Sequence, residues 1–561
     1  MHRFNIFQPD MIFKLKFMDS KEFQTLEKYF FLLITGLNLI PVLSGKFFPT
    51  LDGAAHLYNS NLLNNLLFKS YDQLNLFFIL NQEPVPNWTG HFILSFFNLF
   101  LPAFVAEKAL LLFYMIGLPV SFRAFIKTIS FPNNLFSYLI FPFTYSFLFF
   151  LGFYNFSIAL IFILITINFW IKNESSIATV KNIAILFLLI TLTYFSHIFV
   201  FAVLMLFIGL HLIAKAIIQI LQHPDQIKNV LLCSIRKCGT LLLSSAIPLG
   251  LFSYYFYSRS LSGHYTYLDQ SELLEWLTII RPIIALYFIE EAEFTKILFY
   301  LILSAFFIAI YKKTIAVKLN PEFWWRTKFL SVFKSLISFS DFWLFGTMII
   351  LLIYLKLPDS DGSAGFVSAR LGLIFFLFLI IWLSTQHFPK WFNLLLVGTV
   401  LFCNFKLNQY YISATKDLNK LAVECVDASK HILPNSIVLP LNYSENWFHE
   451  HFSNYLGINK PMIILENYEC GTGYFPIKWN KKSIPNTLFG NLDKTQLPCL
   501  KWESNIKNTS KKIDYIFVLG NMDLKNDSCN QAIKQNILEN YFLIHKSENS
   551  LLFRNSMLNK I

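Results

Sequence analysis

Long apolar runs separated by short charged stretches recur along the first four hundred residues, and they predict membrane-spanning helices near 29–43, 105–122, 134–150, 154–171, 182–195, 198–215, 238–257, 295–311, 341–356, 370–386 and 391–405. That is about eleven spans, several of them shorter than the roughly 20 residues a bilayer needs. Between the first two lies a long polar excursion, 44–90. Within it, AAHLYNSNLLNNLLF places Leu57, Leu62, Leu63, Leu66 and Leu67 at helical spacing, which predicts an amphipathic helix along the membrane surface. The excursion closes on QEPVPNWTGH, an interfacial turn, and the short apolar segment from Gly90 to Leu101 reads as re-entrant or tilted.

From about residue 406 the pattern changes to mixed polar and apolar, with prolines, asparagines and short β-type runs. SIVLPL, PMIIL, DYIFVLG and YFLIH read as buried strands, and Ser444 to Leu456 and Cys529 to Glu539 as helices. The expected architecture is a polytopic α-helical membrane protein: a lead-in at 1–28, a transmembrane domain at 29–405 and a soluble C-terminal α/β domain at 406–561.

Composition agrees with the pattern. Of the 561 residues 55% are hydrophobic, 18% aromatic and 14% charged, and the mean hydropathy is +0.50. The net charge of +12 does not point to nucleic acid, because the charges segregate by side. Arg123, Lys127, Lys172, Lys181, Lys228, Arg236, Lys237, Lys312, Lys313, Lys318, Arg326, Lys328, Lys334 and Lys390 fall in one set of loops, whereas Asp52, Asp72, Glu83, Asp269, Glu272, Glu275, Glu290, Glu291, Glu293, Asp359 and Asp361 fall in the other. The positive-inside rule then puts the N-terminus in the cytoplasm and the C-terminal domain outside the plasma membrane. Cys425, Cys470, Cys499 and Cys529 all lie in that outer domain, where two disulfides in any of three connectivities are open to them. No pair has the CxxC spacing of a zinc site.

Candidate chemistry starts at FPTLDGAAHLYN, residues 48–59, directly after the first span. A carboxylate there, Asp52, suits a general base for a hydroxyl acceptor; N-capping the following helix is its alternative role. His56 lies one turn on, placed to orient the base, bind a phosphate or help hold a divalent ion. Glu83 and His91 belong to the same loop. His197, in TYFSHIFVF, is either a helix-packing residue or part of a site. Arg370, at the end of LPDSDGSAGFVSAR, suits a phosphate, with Asp359 and Asp361 as competing partners. Arg259, His264 and Tyr265 lie on a further outer loop. His449, Glu450 and His451 in WFHEHFSNYLG lack the HExxH spacing and read as a surface or domain-contact cluster. No Walker motif, dinucleotide glycine motif or nucleophile elbow occurs, which argues against ATP-driven pumping and serine hydrolysis.

Together, FPTLDGAAHLYN, the long first outer loop, GFYNFSIAL at 152–160, YFSH at 194–197, the loop ending in Arg370 and the C-terminal domain resemble the GT-C superfamily of membrane glycosyltransferases that use polyprenyl-phosphate-linked sugars. The C-terminal domain is similar to those of bacterial members, above all through ENYECGTGYFPIKWN at 466–480. The resemblance implies a polyprenyl-phosphate sugar donor, a glycan, lipid or protein acceptor, Asp52 as base and Arg370 as a phosphate contact, with inversion at the anomeric carbon. The chain departs from branches that carry two adjacent acids, since Gly53 follows Asp52, and from the branch with a WWD-type motif. No cofactor is fixed by the residues, and metal dependence stays open, with a divalent cation among the roles of His56. A polysaccharide or lipid transporter and a non-catalytic scaffold are the competing readings; the absence of internal repeats weighs against the transporter.

Overall fold

The computed structural model describes residues 21–69, 72–130, 134–258, 264–318, 338–360, 365–480, 513–522 and 528–560. Residues 1–20 of the lead-in and the sequence readings at Arg259, Arg326, Lys328, Lys334, Asp361 and Cys499 lie outside them.

Among the described residues, eight helices are long and apolar enough to cross a membrane: Lys21–Leu43, Ala103–Ile129, Tyr154–Lys172, Ile198–Gln222, Pro224–Ser258, Phe288–Ile315, Val367–Ser384 and Lys390–Ser429. Three shorter apolar helical stretches, Asn134–Phe150, Val180–Ser196 and Asp341–Tyr354, fall where spans are expected from the sequence. The chain is a polytopic helical protein of membrane type with a C-terminal sheet. Its last long helix runs unbroken from Lys390 to Ser429 across the expected domain boundary at 405, because LNQYYISATKDLNKLAVECVDAS keeps apolar residues at helical spacing after the membrane-type run ends.

Among the described residues, the C-terminal part forms a five-stranded mixed sheet. In spatial order its strands are Ile463–Ile464, Ile437–Tyr443, Tyr515–Gly520, Ser550–Asn555 and Tyr541–Lys546. The first three are parallel and the last two antiparallel to their neighbours. All four strands expected from apolar runs are present, and Ser550–Asn555 is an additional one. Helix Ser528–Asn540 forms as expected. The stretch 444–456 forms two 3-10 turns, Trp447–His449 and Phe452–Gly457, instead of an α-helix. There Asn446 and Ser444 hydrogen-bond nearby backbone and side chains, a local competition that breaks helical continuation.

The helix after Asp52 departs most from expectation. Gly53–Phe68 is a helix, but it does not lie on a membrane surface: nearly every residue from Gly53 to Asn65 is buried. Its polar residues are spent on neighbours. Tyr58 Oη donates to the Met462 carbonyl (2.7 Å) and accepts from Ile464 N–H (3.2 Å). The Asn59 and Asn467 amides bond each other reciprocally (2.9 and 2.8 Å), Asn61 Nδ2 donates to the Gly457 carbonyl (2.8 Å), and Asn64 Nδ2 donates to the Ser95 carbonyl (3.0 Å). A Cβ at Gly457 would stand 2.4 Å from the Tyr58 ring, so the C-terminal domain approaches this helix at backbone distance. Strand Phe78–Leu80 adds a second tie, pairing antiparallel with Ile477–Trp479.

Candidate functional site

Asp52 is placed by two segments far apart in sequence. Leu51 N–H donates to the Phe150 carbonyl (3.0 Å) and Asp52 N–H to the Leu151 carbonyl (3.1 Å). Gly152 has φ +82°, and a Cβ there would lie 2.9 Å from both Asp52 Cβ and Asp52 N. Glycine in GFYNF is therefore required by left-handed backbone and by the close pass of Asp52. Gly53 is required for a different reason: its Cβ would meet Thr50 Oγ1 at 2.5 Å and Tyr154 Oη at 2.7 Å, groups that hydrogen-bond each other at 2.8 Å. Close packing, not flexibility, accounts for it, and the same packing leaves no room for a second adjacent acid.

The Asp52 side chain does not cap its helix. It faces the C-terminal domain, where His451 Nε2 stands 3.6 Å from Oδ1 and the Tyr468 hydroxyl donates a hydrogen bond to the carboxylate. On its far side His451 Nδ1 meets Glu466 Oε1 at 2.5 Å, and its ring stacks on Tyr468 with centroids 4.3 Å apart. Glu466 is held in turn by Ser453 Oγ (3.0 Å) and Asn454 Nδ2 (2.5 Å). The result is a chain, Asp52, His451, Glu466, able to orient a carboxylate base. Burial raises the Asp52 pKa, opposed by His451 and His56. Burial alone would lower that of His451, but Glu466 and Asp52 hold it up at about 9, so an imidazolium faces Asp52 at neutral pH.

A second cluster adjoins the first. His56 Nε2–H donates to the Gly152 carbonyl (2.8 Å), and its Nδ1 lies 2.6 Å from Glu469 Oε1 and 3.3 Å from His91 Nε2. His91 Nε2 also lies 2.7 Å from Glu469 Oε2. All three side chains are buried, and Phe475 packs over both imidazoles. His91 is carried on helix Thr89–Asn98, whose start is pinned by Asn155 of GFYNF: Oδ1 accepts from Gly90 N–H (2.7 Å) and Nδ2 donates to the Asn87 carbonyl (3.0 Å). Burial opposes charging of both histidines. Glu469 and Asp52 outweigh it at His56, whose pKa is raised, whereas at His91 burial wins and the pKa is lowered. Glu469, although buried, is held down at about 2 by the two rings.

Of the residues expected from sequence, Asp52, His56 and His91 are brought together. Arg370 begins helix Val367–Ser384 with its guanidinium 4.9 Å from the Phe153 ring centre, next to the Gly152 turn that seats Asp52. Asp359, its expected competitor, instead accepts from Ser368 N–H (2.9 Å) at that helix start. His197 sits between two helices with Nδ1 accepting from Phe199 N–H (3.2 Å), a capping role. Glu83 is not in the cluster; it is exposed and pairs with Lys478 (3.1 Å), because the 78–80 strand pairing carries it to the outer edge. His264 is exposed beside Thr266, which bridges to Ser360. His451, expected only at a surface or domain contact, does lie at the domain contact but is buried against Asp52. Glu466, Tyr468 and Glu469 were not singled out within ENYECGTGYFPIKWN; two acids and a tyrosine within four residues of a weakly periodic stretch are the signal available there.

The two disulfides open to Cys425, Cys470, Cys499 and Cys529 do not both form, since Cys425 and Cys470 are free and buried. Comparison of the chain with protein-family models, with curated proteins and with solved structures returned no match, so the chemistry of this site rests on its own geometry.

Proposed function

We propose that this protein is a membrane glycosyltransferase of GT-C type that moves a sugar from a polyprenyl-phosphate donor to an acceptor hydroxyl on the outer face of the plasma membrane. One observation carries the reading: a buried Asp52 that forgoes helix capping to face an imidazolium backed by its own carboxylate. That arrangement gives a base a fixed orientation. Asp52 removes the acceptor proton as the hydroxyl oxygen attacks the anomeric carbon and the bond from that carbon to the lipid phosphate breaks; the proton stays on Asp52 until solvent takes it, while the His451 imidazolium, backed by Glu466, holds the carboxylate in place.

Two further features support it. Arg370, on helix Val367–Ser384 beside the Gly152 turn, offers a guanidinium of the geometry that phosphates select. Beside helix Thr89–Asn98 runs an apolar groove of about 670 Å³, lined among others by Trp88, Phe92, Phe96, Phe113, Phe162 and Phe195, which suits an isoprenoid chain. The charge segregation of the loops supports the outer location of Asp52 and the C-terminal domain.

The reading is tested by incubating purified protein with short-chain polyprenyl-phosphate sugars carrying a labelled sugar, with membrane glycolipid and peptide acceptors from the same cells. Label appears on an acceptor and free polyprenyl phosphate accumulates in equal amount. Donor bound by protein but never consumed, across sugars and acceptors, contradicts transferase activity.

A further inference from the structure

The histidine and carboxylate cluster beside Asp52 has the chemistry of a metal site. His56 Nδ1, His91 Nε2 and the Glu469 carboxylate converge so that their ligand atoms all lie within 4.8 Å of one another, in a fully buried setting. His56 Nε2–H is committed to the Gly152 carbonyl at 2.8 Å, which leaves the neutral ring's lone pair on Nδ1, pointing into the cluster. This is the outer hydrogen bond that metal-bound histidines ordinarily make. His91 presents Nε2 to the same point, 2.7 Å from Glu469 Oε2, while its buried Nδ1 makes no well-aligned hydrogen bond. Two imidazole nitrogens and a carboxylate thus converge, and no Lys or Arg side chain contacts Glu469 among the described residues.

Distances fit as well. Two nitrogens bonded to one tetrahedral zinc ion at about 2.0–2.1 Å stand roughly 3.3 Å apart, and His56 Nδ1 and His91 Nε2 are 3.3 Å apart. Glu469, at 2.6 and 2.7 Å from the two rings, has only to recede by roughly half an ångström to make room. Glu469 Oε1 is buried without an aligned hydrogen bond despite that short contact, so the cluster is close-packed without being satisfied by hydrogen bonding.

We propose that His56, His91 and Glu469 bind one divalent ion of the zinc class, which fastens the two helices of the first outer loop to the C-terminal domain beside Asp52. Two imidazoles and a carboxylate suit zinc, and a cation there balances the Glu469 charge while drawing together elements nearly four hundred residues apart in sequence. Assignment of the ion does not depend on the sugar-transfer reading, since its readout requires no donor or acceptor.

Full-length protein purified in detergent through a tag free of histidine, stripped with chelator and titrated with Zn²⁺ alone, binds one ion per chain with micromolar or tighter affinity. Binding weakens by roughly 100-fold or more in His91→Asn and in Glu469→Gln, with monodisperse elution as the check on folding. His449→Asn, a histidine outside the cluster, binds as the parent does. Lack of stoichiometric binding by the parent overturns the proposal whatever the variants do. So does parental affinity in both His91→Asn and Glu469→Gln, because the ion is then held elsewhere.

Discussion

At the scale of single residues, the site depends on two glycines whose reasons differ. Gly152 turns left-handed under Asp52, and any Cβ there collides with the Asp52 backbone and Cβ at 2.9 Å. Gly152→Ala therefore costs about 1–3 kcal/mol of stability and displaces the carboxylate; chemical unfolding in detergent reads the first effect and turnover the second. His451 makes a distinct prediction. Its pKa, held at about 9 by Glu466 and Asp52 against the cost of burial, lies above the roughly 6.5 of an unfolded histidine. The charged form is the one the fold favours, so its contribution to stability is complete below about pH 6.5 and is lost as pH rises through about 9. Thermal denaturation between pH 6.5 and 9.5 shows a falling midpoint, and His451→Gln flattens that fall. An unchanged slope in His451→Gln assigns the pH dependence to other groups.

At the scale of elements, the helix Gly53–Phe68 organises the contact between membrane and soluble parts. Its helicity is legible in the spacing of its leucines, but its burial is not, because the partners that cover it lie about four hundred residues later. Tyr58, Asn59 and Asn61 read locally as the polar face of a surface helix; only Met462, Asn467 and Gly457 reveal that the face is a docking surface. Asn59→Ala leaves Asn467 without its reciprocal partner in a buried position, at a cost of about 1–3 kcal/mol, and limited proteolysis then cuts the C-terminal domain faster than in the parent. A similar logic applies to Asn155. It holds both ends of the Asn87–Gly90 turn, so Asn155→Ala shifts helix Thr89–Asn98 and with it His91. Apolar runs announce spans and strands because the hydrophobic pattern is local, whereas Asp52, His451 and Glu466 meet through tertiary packing that no spacing encodes. For the same reason Glu83, sharing a loop with Asp52, was an expected neighbour in sequence and is a distant one in contact.

At the scale of the whole molecule, the C-terminal domain supplies half of the site. Asp52, His56 and His91 come from the segment after the first long helix, and His451, Glu466, Tyr468 and Glu469 from beyond helix Lys390–Ser429. Where a paired-acid loop would place its second acid at position 53, close packing of Thr50 and Tyr154 excludes any side chain, and the additional ionisable groups arrive from the other domain. Such a division makes Asp52, the proposed base, dependent on domain docking, and on that proposal couples stability to turnover. Variants that loosen the contact, such as Asn59→Ala, lower turnover without touching Asp52. The measurement that bears most directly on this account is single-turnover transfer of labelled sugar from polyprenyl phosphate by Asp52→Asn protein. Donor binding equal to the parent's with transfer reduced by about 10³-fold or more is the predicted result, a loss of roughly 4 kcal/mol in transition-state stabilisation. Transfer at the parent's rate by correctly folded Asp52→Asn protein would contradict it.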